Sequence, residues 1–217
     1  MKKRNRKNIC IAVCILSAFV LWTIAISFVD VKTVGPQESA VGFATVNTFL
    51  HNITGVNMTL YTITDWLGLV PLAFVTGFAL LGLIQLIKRK SLLKVDYSIL
   101  VLGGFYIVVM AVYLLFETVV INYRPVLING FLEASYPSST TMLVMCVMPT
   151  AIMQFNNRIK NNIIKRFIAC FLVAFIVFMV IARLISGVHW FTDIIGGTLL
   201  SSGLVLMYRY FIERKTD

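Results

Sequence analysis

Residues 9–29 read ICIAVCILSAFVLWTIAISFV, a run without a single charged side chain, and Lys2, Lys3, Arg4, Arg6 and Lys7 stand immediately before it. A helix needs about 20 apolar residues to cross the hydrocarbon core. Backbone polar groups can be satisfied there only within the helix itself. A basic start followed by an apolar run also has the layout of a secretory leader, but such leaders carry an apolar region of roughly 7–15 residues. The run at 9–29 is therefore expected to be a retained first membrane helix.

The rest of the chain repeats this pattern. Apolar stretches at 66–87, 98–116, 140–155, 167–185 and 194–211 approach the same length, so the expected fold is all-α, a bundle of six transmembrane helices. The 217 residues are 59% hydrophobic and 13% charged, with a mean hydropathy of +0.90. Soluble domains carry about 45–50% apolar residues. The spans leave only short loops, so residues 1–217 are expected to form one membrane-embedded domain. Between the first two spans, residues 39–50 carry Val41, Phe43, Ala44, Val46, Phe49 and Leu50 in a pattern suited to an amphipathic interfacial helix. Gly35-Pro36 before it and Asn52, Gly55 and Asn57 after it read as punctuation.

The net charge of +10 is a matter of topology. Lys88, Arg89, Lys90 and Lys94 follow the second span, Arg158, Lys160, Lys165 and Arg166 the fourth, and Arg209, Arg214 and Lys215 close the chain. With six spans these and the amino-terminal cluster share one side, which the positive-inside rule makes cytoplasmic together with both termini. No nucleic-acid partner is expected. Cys10, Cys14, Cys146 and Cys170 lie within apolar runs without metal-ligand spacing, so neither a disulfide framework nor a metal site is expected. No cofactor is implied, and nothing in the sequence indicates an oligomeric state.

Two arginines break the charge pattern. Arg124, in Asn122-Tyr123-Arg124-Pro125, follows the third span, and the proline favours an extended backbone before it. Arg183 closes the fifth span, and His189 with Asp193 opens the sixth. If the sixth helix starts near His189, these two residues share a face, and the carboxylate can hold the imidazole in one tautomer. Tyr136-Pro137-Ser138-Ser139-Thr140-Thr141 leads into the fourth span as a helix start, whose free N–H groups favour an anion. Guanidiniums bind phosphate in bidentate fashion. His51, in the interfacial segment, reads as a polar surface residue unless the segment folds back.

The spacing of these groups resembles the type 2 phosphatidic acid phosphatase (PAP2) superfamily of membrane lipid phosphatases. Its pattern runs Lys-x6-Arg-Pro, then Pro-Ser-Gly-His, then Ser-Arg-x5-His-x3-Asp. Here the third motif is Ala182-Arg183 followed by His189 and Asp193, both spacings intact. The resemblance implies a PAP2-like six-span fold and a hydrolase in the plasma or cytoplasmic membrane, its active site facing outside. It also implies that His189 attacks phosphorus to form a phosphohistidine and that Asp193 orients it. Arg124, Ser138, Ser139 and Arg183 would hold the phosphoryl oxygens, without a metal. The substrate would be a membrane lipid phosphate or pyrophosphate, such as phosphatidic acid, phosphatidylglycerol phosphate or an isoprenoid carrier.

The chain departs from that pattern at three places. Glu117 stands where the family has its first-motif lysine, Thr140 where it has the histidine that protonates the leaving group, and Ala182 where it has a serine. Loss of a general acid costs about 10²–10⁴-fold. Glu117 is a candidate substitute acid, because a carboxyl group beside a membrane surface and an anion resists ionising; alternatively it pairs with Arg124. The competing function is a catalytically impaired relative that binds or transports a phosphorylated lipid. A channel or secondary transporter lacks support, since no charged residue sits mid-span and no inverted repeat is visible.

Overall fold

The computed structural model describes residues 2–214, with side chains from Lys7 onward. The side chains of Lys2, Lys3, Arg4 and Arg6, and the whole of Lys215, on which the expected orientation also rests, lie outside the described part. The long helices are α1 (Lys2–Phe28), α4 (Leu69–Arg89), α5 (Tyr97–Thr118), α6 (Ser139–Arg158), α7 (Asn162–Ile185) and α8 (Phe191–Arg214). Two shorter ones, α2 (Ala44–Thr54) and α3 (Met58–Leu67), lie between α1 and α4.

Five helical segments among the described residues are long and apolar enough to cross a membrane. The expected fourth span, α6, is not one of them. It carries Thr141, Thr150 and Gln154 on a largely buried surface, since α4, α5, α7 and α8 all pack around it. A helix sheathed by other helices has little lipid to satisfy, which explains its lower hydrophobicity. The second span also differs from expectation: α3 and α4 run together from Met58 to Arg89, interrupted at Gly68, which caps both. The interfacial helix starts at Ala44 rather than 39 and extends past 50. Asn52 therefore lies inside it, whereas Gly55 ends it at φ 61° and Asn57 caps α3 by accepting from Leu60 N.

α8 is the centre of the bundle. α1 lies along it, with Leu16 so near Gly203 that a Cβ there would approach the Leu16 side chain to 2.6 Å. A Cβ on Gly196 would come within 2.3 Å of the Tyr136 ring. Small residues on α8 thus admit neighbours that larger ones would hold off. Gly103 and Gly104 on α5 admit no such neighbour, since no atom lies within 4 Å of a Cβ built on either.

The basic helix ends collect at one end of the bundle. Arg89 pairs with Asp96 at 2.8 Å and Arg158 reaches the same carboxylate at 3.9 Å, while Asn8 donates to Glu213 at 3.2 Å. Asp193 begins α8 at the other end, about 30 Å away at about 1.5 Å per residue. There the turn between α7 and α8 meets the turn between α2 and α3: Asn57 N donates to Ser186 O at 3.0 Å, and Gly187 has φ +67°. A Cβ on Gly187 would fall 1.8 Å from the Gly55 carbonyl oxygen. Neither backbone can yield without losing that hydrogen bond. Gly187→Ala is expected to cost more than about 2 kcal/mol. At about 2–4 °C per kcal/mol for a chain of this size, thermal unfolding in detergent should show a midpoint lower by at least about 4 °C.

Candidate active site

Asp193 is fully buried at the start of α8. Its Oδ2 accepts from the Ser135 hydroxyl and from Trp190 N at 2.8 Å, and its Oδ1 accepts from Asn122 Nδ2 at 3.4 Å. His189 sits in the turn before α8 rather than on the helix, and its Nδ1 is 3.8 Å from Asp193 Oδ2, too far for a hydrogen bond. Ser135 fills the gap, with its Oγ 3.1 Å from His189 Nδ1. The carboxylate orients the imidazole through a hydroxyl, not directly as the i, i+4 spacing suggests.

The tautomer follows from the partners. The Ser135 proton is given to Asp193, so its oxygen accepts, and His189 Nδ1 carries the hydrogen. On the other side, Arg124 Nη1 lies 3.3 Å from His189 Nε2, and a guanidinium only donates. Nε2 is therefore the nitrogen with the free electron pair. Burial, followed by the charges of Arg124 and Arg183, holds the His189 pKa well below the usual histidine value. The ring is neutral at physiological pH.

Arg124 is held by more than Pro125. Its segment pairs with the return strand before α6, with Tyr123 bridged to Ala134 and Arg124 N donating to Glu133 O at 3.0 Å. The Glu133 carboxylate lies 3.1 Å from Arg124 Nε, off the N–H axis, so it is an ion pair without a hydrogen bond. Glu133, and not Glu117, is thus the acidic partner of Arg124. Arg183, 1% exposed, is held by α3: Nη1 donates to Thr64 Oγ1 at 3.0 Å, and Nη2 is 3.7 Å from Asp65 Oδ1. Its guanidinium stands 4.7 Å from the Tyr61 ring centroid, and that of Arg124 stands 5.9 Å from the same centroid, so one aromatic ring touches both arginines.

A cavity of about 200 Å³ opens on this array, lined among others by Tyr113, Glu117, Arg124, Glu133, Ser139 and His189. Of the expected phosphate-binding groups, Arg124 and Ser139 face it. Ser138 is fully buried and caps α6, its Oγ 3.5 Å from Thr141 N; Arg183 is not part of the lining. Thr140 opens instead onto a neighbouring groove of about 440 Å³ between α4, α5 and α6, lined mainly by apolar residues such as Leu72, Val109 and Leu143. His51 does come near through a folded-back α2, its ring 5.4 Å from Trp190, but it does not line the cavity. Among the described residues no cluster of three or more His, Cys, Asp or Glu is placed to hold a metal.

Ser135 and Tyr61 are the site residues that sequence reasoning missed. Ser135 stands two residues before Pro137, outside the motif spacing, and only the fold sets its hydroxyl between His189 and Asp193. Ser135→Ala removes one of the three donors to a buried carboxylate and the partner of His189 Nδ1, and is expected to cost about 1–3 kcal/mol. Ser139→Ala, at the partly exposed first residue of α6, should change stability by less than about 0.5 kcal/mol. Denaturation of the two purified variants, side by side, measures the difference.

The model of the PAP2 superfamily matches residues 104–217. Among solved structures, the fold is similar to that of a transmembrane PAP2-type phosphatidylglycerolphosphate phosphatase from Bacillus subtilis, with a TM-score of 0.64, 17% identity and coverage of 94% of this chain and 96% of that one. No curated protein sequence matches the chain.

Proposed function

Since this chain belongs to the PAP2 superfamily, we propose that it is a lipid phosphatase, hydrolysing a lipid phosphate or pyrophosphate at the extracytoplasmic face through His189. The observation that carries this reading is the chain Asp193, Ser135, His189, Arg124, which delivers a neutral imidazole with its free electron pair on Nε2 to the wall of a cavity. Attack of Nε2 on phosphorus breaks the bond to the leaving oxygen and gives a phosphohistidine. Water then cleaves the P–N bond and releases phosphate. The buried Nε–H of Arg124, which lines the cavity, has no hydrogen-bond acceptor, and a phosphoryl oxygen would satisfy it.

The substrate class follows from the groove. It shares Tyr113, Ser139 and Met142 with the cavity, so a phosphate held beside His189 can be continuous with an apolar chain between α4, α5 and α6. Charge supports the extracytoplasmic face: the basic helix ends lie about 30 Å from His189 along α8, and the positive-inside rule puts such ends on the cytoplasmic side. With α6 as the sixth span, both termini then share the cytoplasmic side.

A binding-only relative is favoured by Glu117 and Thr140, where the family has its lysine and its acid. It is opposed by the buried array, since a binding site needs no oriented imidazole. The direct test is phosphate release by the purified protein from phosphatidic acid, phosphatidylglycerol phosphate and an isoprenyl pyrophosphate, alongside His189→Ala. Release from at least one by the native chain is expected, with loss to background in the variant. Equal release from both proteins would end the enzyme reading.

The same reading fixes the sign of the pH dependence. A nucleophilic imidazole acts when neutral, so activity is present above its pKa and lost as pH falls through it. With that pKa well below the ordinary value, the acid limb of kcat/KM should lie clearly under pH 6.5. A limb at or above 6.5 would place the essential ionisation elsewhere.

A further inference from the structure

The phosphatase reading leaves one step without a residue. An alkoxide expelled from a phosphate monoester must be protonated, and the position that supplies the acid in the family is Thr140, whose aliphatic hydroxyl is no stronger an acid than the alcohol being released. The donor has to stand where the leaving oxygen sits. That oxygen links the phosphorus, in the cavity beside His189, to the apolar chain in the groove, so it lies at the junction of the two. Tyr113, Ser139 and Met142 line both spaces. Methionine has no exchangeable proton, and the hydroxyl of Ser139 is as weak an acid as that of Thr140. A phenol such as that of Tyr113 is intrinsically a stronger acid than an aliphatic alcohol by several orders of magnitude. Glu117, one turn further along α5, and Glu133 line the cavity but not the groove, and Asp65 lines the groove but not the cavity.

We infer that Tyr113 is the proton donor to the leaving group, taking the part of the acid absent at residue 140; this rests on the phosphatase reading above. In the first half-reaction His189 Nε2 bonds to phosphorus, the P–O bond to the lipid breaks, and the Tyr113 phenolic proton passes to the departing oxygen, releasing an alcohol. In the second, water attacks the phosphohistidine, its proton goes to the Tyr113 phenolate, and the P–N bond breaks. The enzyme returns to its starting state with one water consumed.

The role is tested by making the leaving group need no proton. Native chain, Tyr113→Phe, Glu117→Gln and His189→Ala are assayed in detergent on a dialkyl phosphatidic acid, whose leaving group is a poor one, and on p-nitrophenyl phosphate, whose leaving group departs as a stable anion. Tyr113→Phe is expected to lower kcat on phosphatidic acid about 100-fold or more and to lower kcat on p-nitrophenyl phosphate less than about threefold. Equal losses on the two substrates, or a loss on neither, would overturn the assignment. So would a loss confined to phosphatidic acid in Glu117→Gln but absent in Tyr113→Phe. His189→Ala must lose both activities; if it keeps them, or if the native chain releases phosphate from neither, the phosphatase reading itself fails.

Discussion

A carboxylate buried at the start of α8 has to be satisfied from all sides, and most of this end of the bundle is arranged to do so. Asp193 draws in Ser135 and Asn122 from the two strands between α5 and α6, and Trp190 N from the turn before α8. Its own carbonyl accepts from Ser138 N at 3.1 Å, which sets the start of α6. The adjacent Thr192 extends the same junction: it exchanges hydrogen bonds with Asn47 of α2, and its carbonyl accepts from Trp22 of α1 at 3.2 Å. Four residues of chain thus tie together α1, α2, α6 and both strands of the intervening loop. An unpaired charge in so buried a place would be too costly to keep. The requirement that stabilises the junction is the one that orients His189, so folding and preorganisation share a single network.

How much of this was legible in the sequence depends on the range of the interaction. Apolar length marks α1, α4, α5, α7 and α8, because a lipid-facing helix must be apolar over most of its surface, and the ends came within a few residues for most of them. α6 was the least apolar stretch, and its burial by four other helices explains why. Arg124 and His189 were found by spacing and do meet. Ser135 was not, because its importance arises from contacts with residues more than fifty positions away. Ser138 shows what motif spacing leaves out: its hydroxyl oxygen also accepts from Thr141 N as the cap of α6.

The arginines divide the site into an inner and an outer layer. Arg183 is fixed by Thr64 and Asp65, on the helix that leads into α4, and the Tyr61 ring lies beside both it and Arg124. Their charges are felt at the imidazole, where together with burial they disfavour the imidazolium. A neutral imidazole is the consequence, held so by burial first and by the two guanidiniums second.

Glu117 and Thr140 face different spaces. Glu117 lines the cavity with Glu133 and Arg124, so one guanidinium meets two carboxylates there. Thr140 lines the groove, where it presents a small neutral surface among apolar side chains of α4, α5 and α6. The cavity is therefore modest in positive charge and opens directly into an apolar space. Under the proposed phosphatase reading, a phosphate meets a single guanidinium in the cavity, whereas an attached apolar chain would gain about 25 cal/mol per Å² buried. That balance favours an amphiphile over a soluble phosphate.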